Sequence, residues 1–583
     1  MAKVIVVPRP LGERESWGGP LDRVRAILPQ VGMIALILLL GLYILYPVAL
    51  LILNSFNVAR IGQPPRYAVD AWAAAFATPG VFASFWNSVS ISAVQQGISF
   101  PVAIFLAWLL ARTNVPWARG LEFMFWLSFF LPTLSIALGW ILLMDPRVGV
   151  INQVLVKYFG FSKGPFDVYG YWGIIWVHLV AHSISLKVML LVPAFRRMDA
   201  ALEEASRVMG ASTIGTFLRV TIPVMTPTLV VVLMLSLLRM FESFDIERLL
   251  GVPVGLYVYS TEIVKLVREE PPLTGQATAL GSATLVILLI LLPFERWLSH
   301  RRQYTTVTSR MKPEVHDLGP WRWVAFGALL LVGLVLVVLP LATVLAGSFM
   351  TRFGFFDLPQ AWTLRHWQAA LGDSVFTRSI RNTLVVAVTA GVLAPMIFSF
   401  IAYVVVRTTV RGRALLDMLL WVPSIVPGVL AGLGLMWMFL GVPLFNPLYG
   451  TIFVLLIATT MSGMTLGSQL MKASFMQLGR EIEDAARVHG AGWWRTYFQV
   501  VLPLMVPTMV MIGVLNFMFS AQNTSNIILL ATSESRTLSL LTLDFVSEGR
   551  REAATVNAVL ILGLTAGVAL LARAFGLRVG LRQ

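Results

Sequence analysis

The chain of 583 residues is 57% apolar and only 13% charged, whereas soluble domains are about 45–50% apolar and about 25% charged. This composition excludes a soluble protein and indicates a polytopic membrane protein. The absence of cysteine excludes disulfides, thiolate metal sites, iron–sulfur clusters and cysteine nucleophiles.

The order of apolar stretches along the chain predicts twelve membrane-spanning helices, because one span needs about 20 mostly apolar residues. The first six stretches are 31–56, 84–111, 120–144, 171–194, 222–243 and 274–295. The second six are 323–348, 382–406, 415–441, 451–475, 501–522 and 552–575. The predicted fold is all-α, a polytopic membrane protein of two six-helix sets.

The boundaries of these sets predict five segments. They are a cytoplasmic N-terminal segment (1–30), a first six-helix repeat (31–295), a cytoplasmic linker (296–322), a second six-helix repeat (323–575) and a cytoplasmic tail (576–583). The first apolar run is too long for the core of a cleavable signal peptide, so we expect it to remain as an anchor.

The formal net charge of +15 divides unequally between the two faces of the predicted membrane protein. With the N-terminus inside, the inner segments carry 27 Lys and Arg against 14 acidic residues, and the outer segments carry 15 of each. The positive-inside rule places both termini in the cytoplasm. We therefore attribute the basic charge to topology and expect no nucleic-acid partner.

An internal repeat relates the two sets. Residues 203–228 and 483–508 share twelve of 26 positions at a constant offset of 280. A second match, at offset 295, aligns Asn87 with Asn382, Arg112-Thr113 with Arg407-Thr408, and Pro132 with Pro427. The first set thus has about 15 extra residues, which we assign to the loop at 145–170. An even number of spans makes the repeats parallel, and a solute path is expected at their interface.

Each copy of the offset-280 match begins with a predicted short helix on the inner face. Ala200 to Met209 are mostly helix formers, and Gly210 follows where a left-handed C-terminal cap is wanted. Acidic residues lie in the early turns, where negative charge complements the helix dipole. They are Asp199, Glu203 and Glu204 in the first copy and Glu481, Glu483 and Asp484 in the second copy, which ends at Gly490.

Two prolines then open the next span in each copy, Pro223 and Pro227 in the first and Pro503 and Pro507 in the second. A proline beyond the first helical turn removes a backbone hydrogen bond and bends the helix. A single copy could be an ordinary re-entry loop. Two copies with one spacing favour a stiff connection between a surface helix and a membrane helix.

These residues resemble the EAA motif in the membrane subunits of binding-protein-dependent ABC importers, and the rest of each half also resembles that permease domain. The resemblance implies that each motif helix docks on a cytoplasmic ATPase subunit. The implied coupling residues are Glu203, Glu204, Ala205, Arg207, Gly210, Pro223 and Pro227, with Glu483, Asp484, Ala485, Arg487, Gly490, Pro503 and Pro507 in the second copy. Ser206 and Asp484 depart from the motif, so the two contacts are expected to be unequal.

The implied partners are a homodimer of cytoplasmic ATP-binding subunits, an extracytoplasmic solute-binding protein and the lipid bilayer of a bacterial inner membrane. The sequence contains no GxxxxGK[ST] phosphate loop. We therefore expect no enzyme activity and no cofactor in this chain, with ATP hydrolysed by the partners.

Ionisable residues inside a span are candidates for function. Arg239, Glu242, Asp245 and Glu247 cluster where the fifth span meets the outer face, and the matching region of the second half has Asn516, Gln522, Asn523 and Asn526. By resemblance the fifth spans line part of the transport path. The pathway candidates are Arg239, Glu242, Asp245, Asn516, Gln522 and Asn523. The alternative is a structural ion pair with a helix cap.

His178 and His182 lie four residues apart on the fourth span, so a helix would place both imidazoles on one face. No third ligand follows in the sequence nearby. We expect a packed, hydrogen-bonded pair rather than a metal site, and we expect Lys187 to extend toward the cytoplasm.

The sequence therefore predicts the permease subunit of an ABC importer. Having both halves in one chain resembles the ferric-iron importers, which makes ferric iron the first substrate hypothesis, with thiamine, phosphonate and polyamines as alternatives. An ion-coupled secondary transporter also has twelve spans in parallel halves, but it has no use for a repeated docking helix. A membrane enzyme would need a converging catalytic set that the sequence does not offer.

Overall fold

The computed structural model describes residues 20–59, 64–199, 201–238, 241–300 and 315–574, without the side chains of 20–29, 235, 238, 291–300, 573 and 574. Most of the predicted N-terminal segment, the centre of the linker, the tail and the pathway candidate Arg239 lie outside the described residues. The described residues form helices, turns and four isolated bridges, and none of them lies in a strand.

The described part of the first half contains twelve helices. They are α1 (Gln30–Asn54, the apolar part of a helix that begins at Pro20), α2 (Asp70–Ala77), α3 (Val81–Arg112), α4 (Ala118–Phe130), α5 (Thr133–Met144), α6 (Val150–Phe159), α7 (Tyr171–Arg196), α8 (Ala201–Val208), α9 (Thr213–Met234), α10 (Asp245–Val254), α11 (Tyr259–Arg268) and α12 (Thr274–His300).

The second half follows the same plan. Its helices are α13 (Trp321–Phe349), α14 (Arg365–Gly372), α15 (Ser374–Arg407), α16 (Arg413–Ser424), α17 (Gly428–Gly441), α18 (Ile452–Gln477), α19 (Glu481–Val488), α20 (Trp493–Gln522), α21 (Leu538–Ser547) and α22 (Arg551–Ala574). The predicted all-α membrane fold of two parallel six-span repeats is confirmed. We call the end of the bundle with α8 and α19 the motif face.

Two of the predicted spans are sharply bent, which the sequence analysis did not foresee. The third span is the pair α4–α5, bent by 100°, and the ninth is the pair α16–α17, bent by 111°. Proline disfavours the α conformation of the residue before it, and Leu131 before Pro132 is extended, with ψ of 139°. Pro427 stands at the matching position of the second half, immediately before α17.

A further bent pair lies between the predicted fifth and sixth spans, 222–243 and 274–295, where no helix was predicted. Helices α10 and α11 meet at 72° and are apolar enough together to enter a membrane. Helix α21 stands at the equivalent place in the second half. Each half therefore has a helical segment between its fifth and sixth spans that packs back into the bundle.

Five of the described helices contain a π-helical turn, at Gly41–Leu45, Leu179–Ser183, Phe217–Thr221, Leu334–Val338 and Tyr497–Val501. Four of these turns are followed two positions later by a proline, namely Pro47, Pro223, Pro340 and Pro503. Because proline lacks an N–H, it leaves a carbonyl four residues earlier without its α-helical donor. The wider turn accommodates that defect.

The first span of each half packs against the bent pair of the other half. Helix α1 packs on α17, and α13 packs on α5. The contacts are close: a Cβ on Gly434 would lie 2.7 Å from the Pro47 carbonyl oxygen, and one on Gly139 would lie 2.6 Å from that of Pro340. The two repeats thus exchange their first helices across the interface.

Candidate functional site

The two motif helices, α8 and α19, end in the same capped geometry. Gly210 has a φ of +88° and Gly490 a φ of +82°. The N–H of the residue after each glycine donates to the carbonyl five residues earlier, from Ala211 to Ser206 and from Ala491 to Ala486. This is a Schellman cap, the left-handed helix end that glycine favours. The sequence prediction of a short helix ending at a glycine is confirmed in both copies.

The first acidic residue of the first motif, Glu203, is buried and bound to three other segments. It pairs with Arg112 at the end of α3, accepts a hydrogen bond of 2.6 Å from Thr221, and lies 3.2 Å from His316 Nε2. Burial acts to raise the pKa of the Glu203 carboxyl, but the hydrogen bonds from His316, Thr221 and Arg112, with the Arg112 charge, lower it to about 2. Glu203 is therefore a charged internal anchor.

The second motif has the equivalent anchor with different partners. Glu483 lies 3.1 Å from Arg407 Nε at the end of α15, and it accepts a hydrogen bond of 3.1 Å from the Tyr403 hydroxyl. Arg487 approaches the same carboxylate at 4.0 Å. The residues of the two sequence matches, at offsets 295 and 280, thus contact each other in both halves.

The remaining predicted coupling residues divide between exposed and half-buried positions. The exposed ones are Glu204, Ala205, Gly210, Pro223, Asp484, Ala485, Arg487, Gly490, Pro503 and Pro507, and Arg207 and Pro227 are half-buried. Glu203 and Glu483 are the buried members, so they cannot contact a partner directly.

Each motif also exposes large apolar side chains that the sequence analysis did not select. Val208 is 88% exposed and Val488 is 85% exposed, at equivalent ends of α8 and α19. Met209, Ile214 and Trp494 are exposed beside them. Apolar patches of this kind on an otherwise charged surface mark sites of protein contact. We call this set, on the motif face, the apolar rim.

A cavity of about 320 Å³ lies mainly in the first half, between α3, α7, the end of α9 and α10, and Ser525 of the second half also lines it. The neighbouring Thr524 hydroxyl donates to the Asp245 carboxylate. Two pathway candidates, Glu242 and Asp245, line it. Asn516, Gln522 and Asn523 are not among its lining residues; Asn516 is buried and donates to the Ile512 carbonyl at 2.9 Å. Of the pathway candidates that the structure describes, it thus brings together only those of the first half.

The two histidines line this cavity with separate partners rather than as a pair. His178 Nε2 lies 2.7 Å from Glu247 Oε1 and 3.2 Å from the Ser243 hydroxyl. His182 Nε2 lies 2.8 Å from the Thr133 hydroxyl. Within the described ranges no three His, Asp or Glu side chains converge as a metal site would require.

Lys187 also lines the cavity, and the expectation that it extends toward the cytoplasm was wrong. Its ammonium donates to the Ser183 carbonyl at 3.1 Å and to the Ser183 hydroxyl at 2.8 Å. Ser183 ends the one π-helical turn of the described helices that no proline explains. Turns of this kind are frequent at functional sites, and this one lies in the cavity wall.

Sequence reasoning missed a further lining residue, Gln96. Gln96 lies in the middle of a long apolar span, next to Gln95. A pair of amides in such a span was a usable signal, because buried polar groups in a membrane need a reason. Glu247 belonged to the charged cluster found in the sequence, but its contact with His178 had no local signal.

The family model described as binding-protein-dependent transport system inner membrane component matches residues 99–304 and 387–580. The chain is 24% identical to the ferric transport system permease protein FbpB of Actinobacillus pleuropneumoniae, over 89% of this chain and 74% of that protein. It is 23% identical to the Fe(3+)-transport system permease protein FbpB 2 of Haemophilus influenzae, over 68% and 75%. It is 28% identical to the molybdenum transport system permease protein ModB of H. influenzae, over 37% and 92%.

Proposed function

Because the chain belongs to the family of binding-protein-dependent transport system inner membrane components, we propose that it forms the complete transport path of an ABC importer. An extracytoplasmic binding protein delivers the solute. Two identical ATPase subunits dock on α8 and α19 and supply the energy, since this chain has no phosphate loop.

One observation carries the proposal: two copies of the same helix lie on one face, each capped by a glycine and each anchored by a buried arginine–glutamate pair. Residues 31–295 and 323–575 are then the two repeats, one for each ATPase subunit. The apolar rim is the surface that the ATPase subunits cover. On this proposal the motif face, with both chain termini, lies in the cytoplasm.

The anchor pairs supply the mechanical link between docking and transport. Glu203 of α8 holds Arg112, the last residue of α3, and α3 also carries the cavity residues Ser88, Ser92 and Gln96. Helices in a tightly packed bundle move as stiff units, because the packed interior around them is not continuously deformable. ATPase closure that moves α8 would therefore move one wall of the cavity. In the second half Glu483 and Arg407 make the same connection to α15.

Ferric iron is the proposed solute, because two similar permeases that align over most of this chain are ferric transport proteins. The alternatives are thiamine, phosphonate and polyamines, imported by the same mechanism. Mass spectrometry of the ligand on the soluble binding protein encoded with this chain decides between them. Iron-loaded binding protein is the expected result, and an organic ligand would replace iron as the solute.

The docking proposal is tested by placing a charge in the apolar rim. The double variant Val208→Asp, Val488→Asp should insert in the membrane normally but lose its ATPase subunits, since a buried unpaired carboxylate at an interface costs about 2 kcal/mol or more per site. Co-purification of the ATPase with the tagged permease measures this. Val254→Asp, at an exposed valine (54%) at the end of α10, is the matched control and should retain the ATPase. Normal co-purification of the double variant would contradict docking at α8 and α19.

A further inference from the structure

The first repeat supplies all but one of the cavity's lining residues; the exception is Ser525 of the second repeat. At the offsets that relate the halves, His178, Lys187 and Glu247 correspond to Ala458, Gly467 and Ile527, and Gln96 corresponds to Gly391. The second-half glycines are used for packing: a Cβ on Gly467 would lie 2.3 Å from the Phe398 ring, and one on Gly391 would lie 3.1 Å from the Gly513 carbonyl. Fold symmetry therefore does not account for the polar lining of the first half.

Two buried oxygen atoms in the cavity wall have no hydrogen-bond partner among the described residues. They are Oε2 of Glu247, a residue only 2% exposed, and Oε1 of Gln96, a residue 8% exposed. A buried acceptor without a donor costs about 1–3 kcal/mol, and more when it is charged. Both residues line the cavity, so a water molecule or ligand that reaches these oxygens would supply the missing donor.

The Glu247 carboxylate is held in place by its other oxygen. Oε1 lies 2.7 Å from His178 Nε2 and accepts a hydrogen bond of 2.5 Å from the Ser243 hydroxyl. An imidazole and a hydroxyl that fix one carboxylate oxygen orient the second, as partners outside the ligand shell do in metal sites. Orientation of this kind is unnecessary for a carboxylate that only fills space.

The charges of the lining favour a cation. Three carboxylates, of Glu242, Asp245 and Glu247, face the cavity, against one ammonium, that of Lys187, and two imidazoles. The ammonium is bound to the Ser183 oxygens. An anion such as molybdate or a phosphonate would meet these carboxylates in a medium of low dielectric, where repulsion is strong.

The size and chemistry of the cavity favour a hydrated metal ion over an organic cation. Six waters occupy roughly 180 Å³ at about 30 Å³ each, which fits within the cavity of about 320 Å³. Aromatic side chains recognise organic ammonium groups, and Phe244 is the single aromatic residue in the lining that the structure describes. Oxygen acceptors are the partners of hard metal cations.

We propose that the first half holds a multivalent metal cation on the transport path, with Glu247, oriented by His178, and Gln96 as its principal contacts through the ion's water shell. The proposal rests on the importer function. It adds that the transported solute is positively charged and that the first half of the chain contacts it. Contact through water gives weak binding, and a transport site must release what it binds.

The test is a titration of the complete complex, permease with its ATPase subunits, in phosphatidylcholine nanodiscs without nucleotide. Tb³⁺, a hard trivalent ion, is added as the chloride, and its luminescence sensitised by tryptophan reports binding. Glu247→Gln should weaken the binding found in the wild type about 10- to 100-fold, the range for lost outer-shell partners. Gln96→Leu should weaken it to a smaller extent, and added spermidine or molybdate should not displace the ion.

Glu262→Gln is the matched control. Like Glu247, Glu262 is almost fully buried, at 1% exposed, and has a charged partner, Lys265 at 3.0 Å. It does not line the cavity. It should bind Tb³⁺ as the wild type does. Gln96→Leu removes an acceptor that has no partner, so it should fold even if Glu247→Gln does not. Unchanged Tb³⁺ affinity in the variants that fold would overturn the site, as would displacement by spermidine.

A second measurement separates the site from the importer function. Proteoliposomes containing the complex, supplied with ATP and iron-loaded binding protein, report uptake. If the wild type imports iron and Glu247→Gln has the wild-type Tb³⁺ affinity, the cation site fails and the importer function stands. If Glu247→Gln and Gln96→Leu lose Tb³⁺ but the wild type imports nothing with ATP, the importer function fails and the site stands.

Discussion

Two arginines hold the motif helices to the long spans. The sequence repeat identifies both arginines but does not show which glutamate each one binds. Arg112 and Arg407 were found as one repeated marker, and Glu203 and Glu483 as another. The pairing depends on how α3 and α15 end beside α8 and α19, which no local pattern encodes. The sequence shows which residues recur in the two halves, whereas the burial of Glu203 and Glu483 follows from the fold.

The anchor is tested by Arg112→Ala. Removing one partner of a buried ion pair costs about 3–5 kcal/mol, so α8 should detach while the spans stay folded. Hydrogen exchange should rise over 201–210, and less ATPase should co-purify. The control is Lys157→Ala, whose pair with Asp357 is 60% and 84% exposed and whose loss should cost about 1 kcal/mol or less. Unaltered exchange in α8 would show that Arg112 does not hold it.

The cavity residues show where sequence reasoning stops at this scale. Glu242 and Asp245 could be proposed because they are charged and lie near a span. Their polar counterparts Asn516 and Asn523 followed from the repeat alone, and neither is a lining residue of the cavity. The second half reaches the cavity instead through Thr524, which donates to Asp245, and through Ser525.

Helix positions could be predicted closely, because hydropathy reports which residues lie in the membrane. The predicted 382–406 is α15, Ser374–Arg407, and the predicted 451–475 is α18, Ile452–Gln477. Hydropathy does not report the direction of the helix axis, so it could not predict the bends of 100° and 111° within two apolar runs. Pro132 and Pro427 were the available signal, since the residue before a proline leaves the helical conformation.

The glycine caps give a prediction at the level of the element. Gly210 and Gly490 have open space around an added Cβ but a positive φ, which costs a β-branched residue about 1–2 kcal/mol or more. The double variant Gly210→Val, Gly490→Val should therefore misplace the chain after α8 and α19 and lose ATPase association, with insertion intact. Association is measured by co-purification from membranes.

Gly160 supplies the control for that experiment. It caps α6 with a φ of +71° and also has open space around its Cβ, so Gly160→Val imposes the same backbone strain away from the motif face. It should keep the ATPase subunits. Equal loss in both variants would mean that strain, and not the position of the motif helices, caused the effect.

The two repeats are not separate bodies, although the sequence divides cleanly between them. Each gives its first span to the other through the contacts at Gly139 and Gly434. Away from the motif face, Arg551 of the second half pairs with Asp145 of the first at 2.9 Å. A constant offset between repeats shows that two segments are similar in sequence. It does not show whether a helix packs against its own half or against the other half.

The exchange predicts that neither half is stable alone. Residues 1–310 and 311–583, expressed separately, should each aggregate, because α1 and α13 lack their partners and α5 and α17 expose the surfaces that these helices cover. Co-expression of the two pieces should restore one complex. Size-exclusion chromatography in detergent distinguishes the cases, and a monodisperse 1–310 fragment would show that α13 is dispensable to the first half.

The exchange also sets an order of events during biosynthesis. Helix α1 ends at Asn54 and its partner α17 begins at Gly428, so 374 residues must be made before they can meet. At about 5–20 residues per second this takes roughly 20–75 s, during which the surface of α1 that α17 covers is exposed to lipid. Among the nine unbroken spans described, α1 and α13 have the highest mean hydropathies, 2.7 and 2.9. The high hydropathy of α1 suits a helix that must remain in the bilayer before its partner is made, whereas α13 is made after α5.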